Sequence, residues 1–224
     1  DQVVYDVALH RLGVIFCLDR AGITGDDGPS HHGVYDMALL SKVPGMRVLA
    51  PSSVQELHQM LHDAVSLAES GPVAIRYPKG RARQVDENDV GEGLSARKLC
   101  DGDGSVCVLA VGKLVGNALR AAEIVAESGR DVTVWDVRSC APLDPAMIAD
   151  AAQHEVVITA EDGIRDGGIG MTMAGEIGEL APEVPVHVLG VPTRFIPQAK
   201  PDRILASLGL DAEGIAAAIR EHGR

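Results

Sequence analysis

Val106-Cys-Val-Leu-Ala-Val111, then Leu114–Ser128, then Val132-Thr-Val-Trp-Asp-Val137 follow one another in the chain, and this succession decides the fold. The two flanking runs are short and largely apolar with no alternation, the pattern of strands buried on both faces. The segment between them is Ala-rich, of helical length, and is followed by Gly129, the residue type that most easily takes the left-handed turn closing a helix. A strand, a helix and a strand at this spacing form a βαβ unit and imply a parallel sheet.

The same rhythm continues in both directions. Downstream, the pattern predicts a helix over Pro145–Gln153, a strand over Val156–Ala160, a helix over Met171–Leu180 and a strand over Val186–Leu189. A closing helix spans Asp211–His222, with Asp211 as its N-cap. Upstream, strands are predicted over Gly13–Leu18, Met46–Ala50 and Val73–Tyr77, the last halted by Pro78 and Gly80. Asp36–Ser41 is a short helix, and Ser53 with Glu56 has the spacing of a capping box that opens a helix running to Ala68. Asp1–Arg11 reads as a helix already under way, with no cap before it, so the chain is expected to be a fragment. Gly80–Gly104 is rich in Arg, Asp, Glu and Gly and lacks periodicity. The expected organisation is therefore α/β in two domains, each a mainly parallel sheet flanked by helices: residues 1–83, a linker over 84–104, and residues 105–224.

Composition narrows the function. The 224 residues carry a formal net charge of −12, which argues against a nucleic-acid backbone as partner, since phosphate tracking needs a basic surface. A small anionic ligand needs only a few placed cations and stays open. No apolar run is long enough to cross a membrane. Cys17, Cys100, Cys107 and Cys140 form no C-x-x-C pair and read as reduced structural thiols, which fits a cytoplasmic location. The acidic residues show no metal-ligand spacing.

The loop after Gly13–Leu18 is the richest in chemistry. It holds Asp19, Arg20, Asp26, Asp27, Ser30, His31 and His32, with Gly22, Gly25, Gly28 and Gly33 between them. Ligands of open α/β sheets bind beyond the carboxyl ends of strands, and a connection this long in a compact domain is usually functional. Asp27 and His31 stand four apart. A carboxylate near an imidazole can orient it and raise its basicity, which suits proton transfer. Arg20, at the strand end, is the residue type that clamps a phosphate or carboxylate bidentately. His32 is either a neighbour of the site or an exposed loop residue, and the remaining histidines are read as structural.

This loop carries a family resemblance. Asp19-Arg20-Ala21-Gly22-Ile-Thr-Gly25-Asp-Asp27-Gly28-Pro-Ser30-His31-His-Gly33-Val-Tyr35-Asp36 resembles a signature of the 1-deoxy-D-xylulose-5-phosphate synthases. The likeness continues through Pro44-Gly-Met46, Ala50-Pro51-Ser52, Arg76-Tyr77-Pro78-Lys79-Gly80 and Phe195-Ile-Pro197-Gln198, covering essentially the whole chain. It implies a transketolase-like pyrimidine-binding domain, N-terminally incomplete, followed by a transketolase C-terminal domain. It also implies a thiamine-diphosphate-dependent transferase that condenses pyruvate with D-glyceraldehyde 3-phosphate, feeding isoprenoid and thiamine synthesis as a homodimer.

By that resemblance His31 and Asp27 are catalytic, stabilising the pyruvate adduct and moving protons, while Arg20 and Lys79 bind substrate phosphate. Lys79 stands where many members of the family have Arg, so a point charge replaces a planar fork. The family's magnesium–diphosphate ligands and catalytic glutamate would precede Asp1, so no cofactor-binding residue is assigned here and the fragment alone is expected to be inactive. The competing readings are a β subunit of a 2-oxoacid dehydrogenase, which the Asp19–His31 loop disfavours, and a non-catalytic assembly module. Gly168-Ile-Gly170 has half of a dinucleotide fingerprint, but Met173 stands where its third glycine belongs, so tight helix packing is expected there instead.

Overall fold

The computed structural model describes residues 1–223 as two sheets covered by helices. The first sheet contains β1 (Ile15–Leu18), β2 (Arg47–Leu49), β3 (Val73–Arg76) and β7 (Ser139–Ala141) in the order β1-β3-β2-β7. The second contains β4 (Arg97–Cys100), β5 (Val106–Ala110), β6 (Thr133–Asp136), β8 (Val156–Ile164) and β9 (Val186–Val191) in the order β4-β6-β5-β8-β9. Pairing is parallel except for β7 on β2 and β4 on β6. The all-buried strands β3, β5, β6 and β8 are the ones whose sequences lack alternation, as burial on both faces requires.

The helices are α1 (Asp36–Leu40), α2 (Val54–Leu67), α3 (Leu114–Ala126), α4 (Pro145–Ala151), α5 (Ile169–Leu180), α6 (Pro201–Ser207) and α7 (Ala212–His222). Local chemistry explains their starts. Ser53 Oγ accepts the Glu56 amide at 3.0 Å, Asp144 caps α4 ahead of Pro145, and Asp211 accepts the Gly214 amide at 2.9 Å. Only half of the expected capping box forms, because the Glu56 carboxylate turns to Arg138 at 2.7 Å and to the Gly91 amide at 2.7 Å. At the N-terminus the helix expected over Asp1–Arg11 is a shorter π-helical segment, Val3–Ala8, with Val3, Val4 and Val7 half-buried and Ala8 buried.

Two features correct the sequence reading of the organisation. The stretch 84–104 is not only linker: it contributes β4, hydrogen-bonded to β6. The second half also reaches back into the first sheet, where β7 pairs with β2 and the Ala50 amide donates to the Arg138 carbonyl at 2.8 Å. The halves are interlocked by buried polar pairs as well. Glu56 meets Arg138, Ser52 donates to Asp136 at 2.5 Å, and Arg76 meets Asp162 at 2.7 Å.

Candidate active site

The loop between β1 and α1 folds back on itself. Gly22 and Gly33 exchange backbone hydrogen bonds of 2.8 and 2.9 Å, and the Ala21 amide donates to the Tyr77 carbonyl at 3.0 Å beside the exit of β3. Arg20 takes a left-handed φ of 58°, which turns the chain sharply at the strand's end. The loop then lies against the second half. A Cβ on Gly22 would stand 1.7 Å from the Asp162 carboxylate, and one on Gly25 would stand 2.5 Å from Pro201. Both glycines also have positive φ, so backbone geometry and close approach demand glycine together. The Ile164 amide donates to the Val34 carbonyl at 2.8 Å, tying the far end of the loop to β8.

The residues singled out from the sequence all reside on this loop or beside it. The Asp27 carboxylate accepts a hydrogen bond from Lys79 Nζ at 3.1 Å. That bond, together with the lysine's charge, holds Asp27 below the usual carboxylate range, with smaller contributions from His31 and Arg20. Lys79 takes the Asp27 carboxylate, while His31 Nδ1 lies 3.0 Å from Ser30 Oγ. Lys79, expected as a phosphate clamp, is thus already an ion-pair partner. Arg20 pairs with its neighbour Asp19 at 2.7 Å, with its side chain 53% exposed and available to solvent.

His32 is not an exposed loop residue. It is buried, its Nδ1 lies 3.2 Å from the Thr24 amide, and burial lowers its pKa, so it is a neutral packing histidine. His154 is likewise structural, held between the Asp150 carbonyl and Thr133 Oγ1, both at 2.9 Å.

Sequence reasoning missed the residue on which the loop is built. Arg76, only 4% exposed, reaches Asp36 at 2.8 Å and Asp162 at 2.7 Å. Burial works against its charge, yet the two carboxylates outweigh burial and raise its pKa. For Asp162 burial acts in the opposite direction, raising its pKa, but Arg76 and Lys113 hold it low. The Arg76-Tyr77-Pro78 motif was visible in the sequence, but its partner Asp162, 86 positions away, carried no local signal.

The glycine-rich turn before α5 also has a physical explanation. Glu161 accepts the Ile169 and Gly170 amides at 3.3 and 2.8 Å, so the protein's own carboxylate fills the helix N-terminus. A Cβ on Gly168 would lie 2.5 Å from Glu161 Oε1 and one on Gly170 2.4 Å from Thr159 Oγ1. The turn packs a helix, as expected, and leaves no room for a dinucleotide phosphate. Among the described residues no group of three His, Cys, Asp or Glu is placed to hold a metal ion.

The fold is a pair of mainly parallel α/β sheets with a glycine-rich, charged loop at the carboxyl end of β1, and the chain belongs to the transketolase family. Residues 1–84 match the transketolase pyrimidine binding domain and residues 95–215 the transketolase C-terminal domain. Within that family it is similar to 1-deoxy-D-xylulose-5-phosphate synthases. It is 40% identical over 230 residues to the synthase of Thermobifida fusca (strain YX), covering 99% of this chain and 35% of that protein. It is 42% identical over 226 residues to synthase 1 of Geobacter sulfurreducens (strain ATCC 51573 / DSM 12127 / PCA), covering 97% of this chain and 34% of that protein. The chain therefore spans about a third of the length of these curated relatives. A solved split-gene transketolase, described as an inactive beta4 tetramer, superposes with a TM-score of 0.88 at 26% identity, over 100% of this chain and 72% of its own.

Proposed function

We propose that this chain forms the substrate-facing part of a 1-deoxy-D-xylulose-5-phosphate synthase. That enzyme uses thiamine diphosphate to join pyruvate to D-glyceraldehyde 3-phosphate with loss of carbon dioxide, the first step of non-mevalonate isoprenoid synthesis. One observation carries the reading: the Asp19–Asp36 loop is held by Arg76, Asp162 and Ile164, so that Arg20, Asp27 and His31 project from a fixed backbone. The curated relatives support it over a 2-oxoacid dehydrogenase β subunit and over a non-catalytic module.

Arg20 would take the phosphate of the aldehyde substrate, its guanidinium offering a planar fork. His31 would hold or move a proton at the reacting carbons. Asp27, kept ionised by Lys79, would set the field around His31. The described residues do not fit the metal–diphosphate end of the cofactor. They contain no metal-binding cluster, and the α5 N-terminus is filled by Glu161. That seat, with its magnesium, would come from residues beyond these, and the 224 residues alone would be inactive. A homodimeric, cytoplasmic enzyme is part of the same proposal.

The test uses the full-length natural protein. His31→Ala should lower kcat for product formation from pyruvate and D-glyceraldehyde 3-phosphate by about 10²–10⁴-fold, the range of a general acid–base residue. Arg20→Ala should raise KM for the phosphorylated aldehyde more than for pyruvate. Near-parental turnover of the His31 variant would remove the role given to it.

A further inference from the structure

A second feature lies outside the Asp27–His31 loop. Where the two halves meet, a cleft of about 660 Å³ opens beyond the carboxyl ends of β2, β3 and β5. It is larger than a single phosphate needs and within the range of about 300–1,000 Å³ of small-molecule sites. The sheet order β1-β3-β2 puts the segment leaving β3 between two loops. On one side stands the β1 loop with Arg20, Asp27 and His31; on the other stands the cleft, which none of those three residues lines.

The cleft is cationic in a chain whose net charge is −12. Lys79, Arg81 and Arg83 enter it from the segment after β3, and Lys113 enters from the start of α3 in the other half. Asp202 is the one carboxylate among the lining residues. Most other polar groups there are committed. Ser52 Oγ donates to Asp136, Ser53 Oγ caps α2, and the Asn117 amide donates to the Leu210 carbonyl. Lys79 holds Asp27, and Lys113 Nζ stands 3.8 Å from Asp162 Oδ2, a buried oxygen with no hydrogen-bond partner. The guanidinium groups of Arg81 and Arg83 make no ion pair among the described residues. Two guanidinium-bearing residues and Lys113 on the lining of one concavity supply the charge that a tetrahedral oxyanion needs, and a guanidinium can grip such an anion bidentately.

We propose that this interdomain cleft binds a phosphorylated small molecule through Arg81, Arg83 and Lys113, at a site separate from the one built around Arg20, Asp27 and His31. Lys79 stands at the boundary of the two sites. An anion in the cleft competes with Asp27 for its ammonium, so occupancy there is felt at the catalytic loop without direct contact. The proposal does not depend on which reaction the loop serves.

Inorganic phosphate is the probe, titrated calorimetrically into the full-length natural protein. Phosphate binding should survive Arg20→Ala and weaken by about tenfold or more in Arg81→Ala/Arg83→Ala, as loss of charge-assisted pairs requires. Lys113→Gln should weaken it as well. Because Arg81 is exposed and Arg83 only half-buried, the double variant should keep the parental melting temperature, which separates lost binding from lost folding. Three results overturn the proposal: no phosphate binding, parental affinity in the folded double variant, or loss confined to Arg20→Ala.

Discussion

Arg76 illustrates how one side chain can organise a site it does not enter. Its guanidinium is buried between Asp36, where the loop after β1 meets α1, and Asp162, on a strand of the other half. A buried ion pair adds little over a well-packed apolar pair, but removing one partner leaves the other charge uncompensated. Asp162→Ala should therefore cost about 3–5 kcal/mol in urea unfolding of the full-length protein. A cost below about 1 kcal/mol, the size of an exposed pair, would contradict this account. The neighbouring pair behaves differently because it is exposed. Lys79→Met should let the Asp27 carboxyl titrate higher than in the parent, read by carbon NMR across a pH series, and should leave stability nearly untouched. An unchanged Asp27 titration would mean that Lys79 is not what holds it low. Arg20, Asp27 and His31 stand out in the sequence by type and clustering, and Lys79 through the family resemblance. The Lys79–Asp27 bond and the Arg76–Asp162 pair could not, since partners 52 and 86 positions apart are brought together only by the fold.

Among the elements, those with an internal apolar signal were readable and those defined by a neighbour were not. The strands β1, β2, β3, β5, β6, β8 and β9 coincide with apolar runs, and α3, α5 and α7 with helical periodicity. β4 reads Arg-Lys-Leu-Cys and β7 only Ser-Cys-Ala, sequences that become strands because an edge is open to them. β8 runs past Ala160 through Glu161 and Asp162, where the sequence suggests a turn, because Arg76 and the α5 amides satisfy those carboxylates. Helix α6 was also missed; Pro201 at its first turn is its main local cue. Within α5 the glycines are not equivalent. Gly170 faces Thr159 and Val188, with a hypothetical Cβ 2.4 and 2.7 Å from them, while Gly175 faces open space. Gly170→Ala should destabilise by about 1–3 kcal/mol through overpacking. Gly175→Ala should stabilise by about 0.5–1 kcal/mol through helix propensity. Thermal unfolding of the two variants side by side checks both signs, and equal effects would refute the packing of α5 described above.

At the scale of the whole molecule, the halves are joined by buried polar groups, and that makes their union sensitive to pH. Asp136 is wholly buried where β6 meets the start of α2, and burial pushes its carboxyl up to about 7. The Ser52 hydroxyl and Arg138 pull the other way, while Glu56 adds to the rise. Between the ordinary value of 3.8 and about 7, the folded protein therefore retains a proton that the unfolded chain has released. Folding then binds protons, so this group's contribution to stability falls as pH rises through that window and is constant above it. Asp136→Asn keeps the shape and has no proton to lose. The stability of the parent relative to this variant should decline from pH 5 to pH 7, by up to about 1.4 kcal/mol per pH unit, and then level off. Chemical denaturation of both proteins at pH 5, 6, 7 and 8 measures the difference directly. Other ionisable groups largely cancel because each is present in both proteins. A difference that is flat from pH 5 to 8, or that grows in the parent's favour, would show that Asp136 is ionised in the folded state and that the Ser52–Asp136 contact is an ordinary charged hydrogen bond.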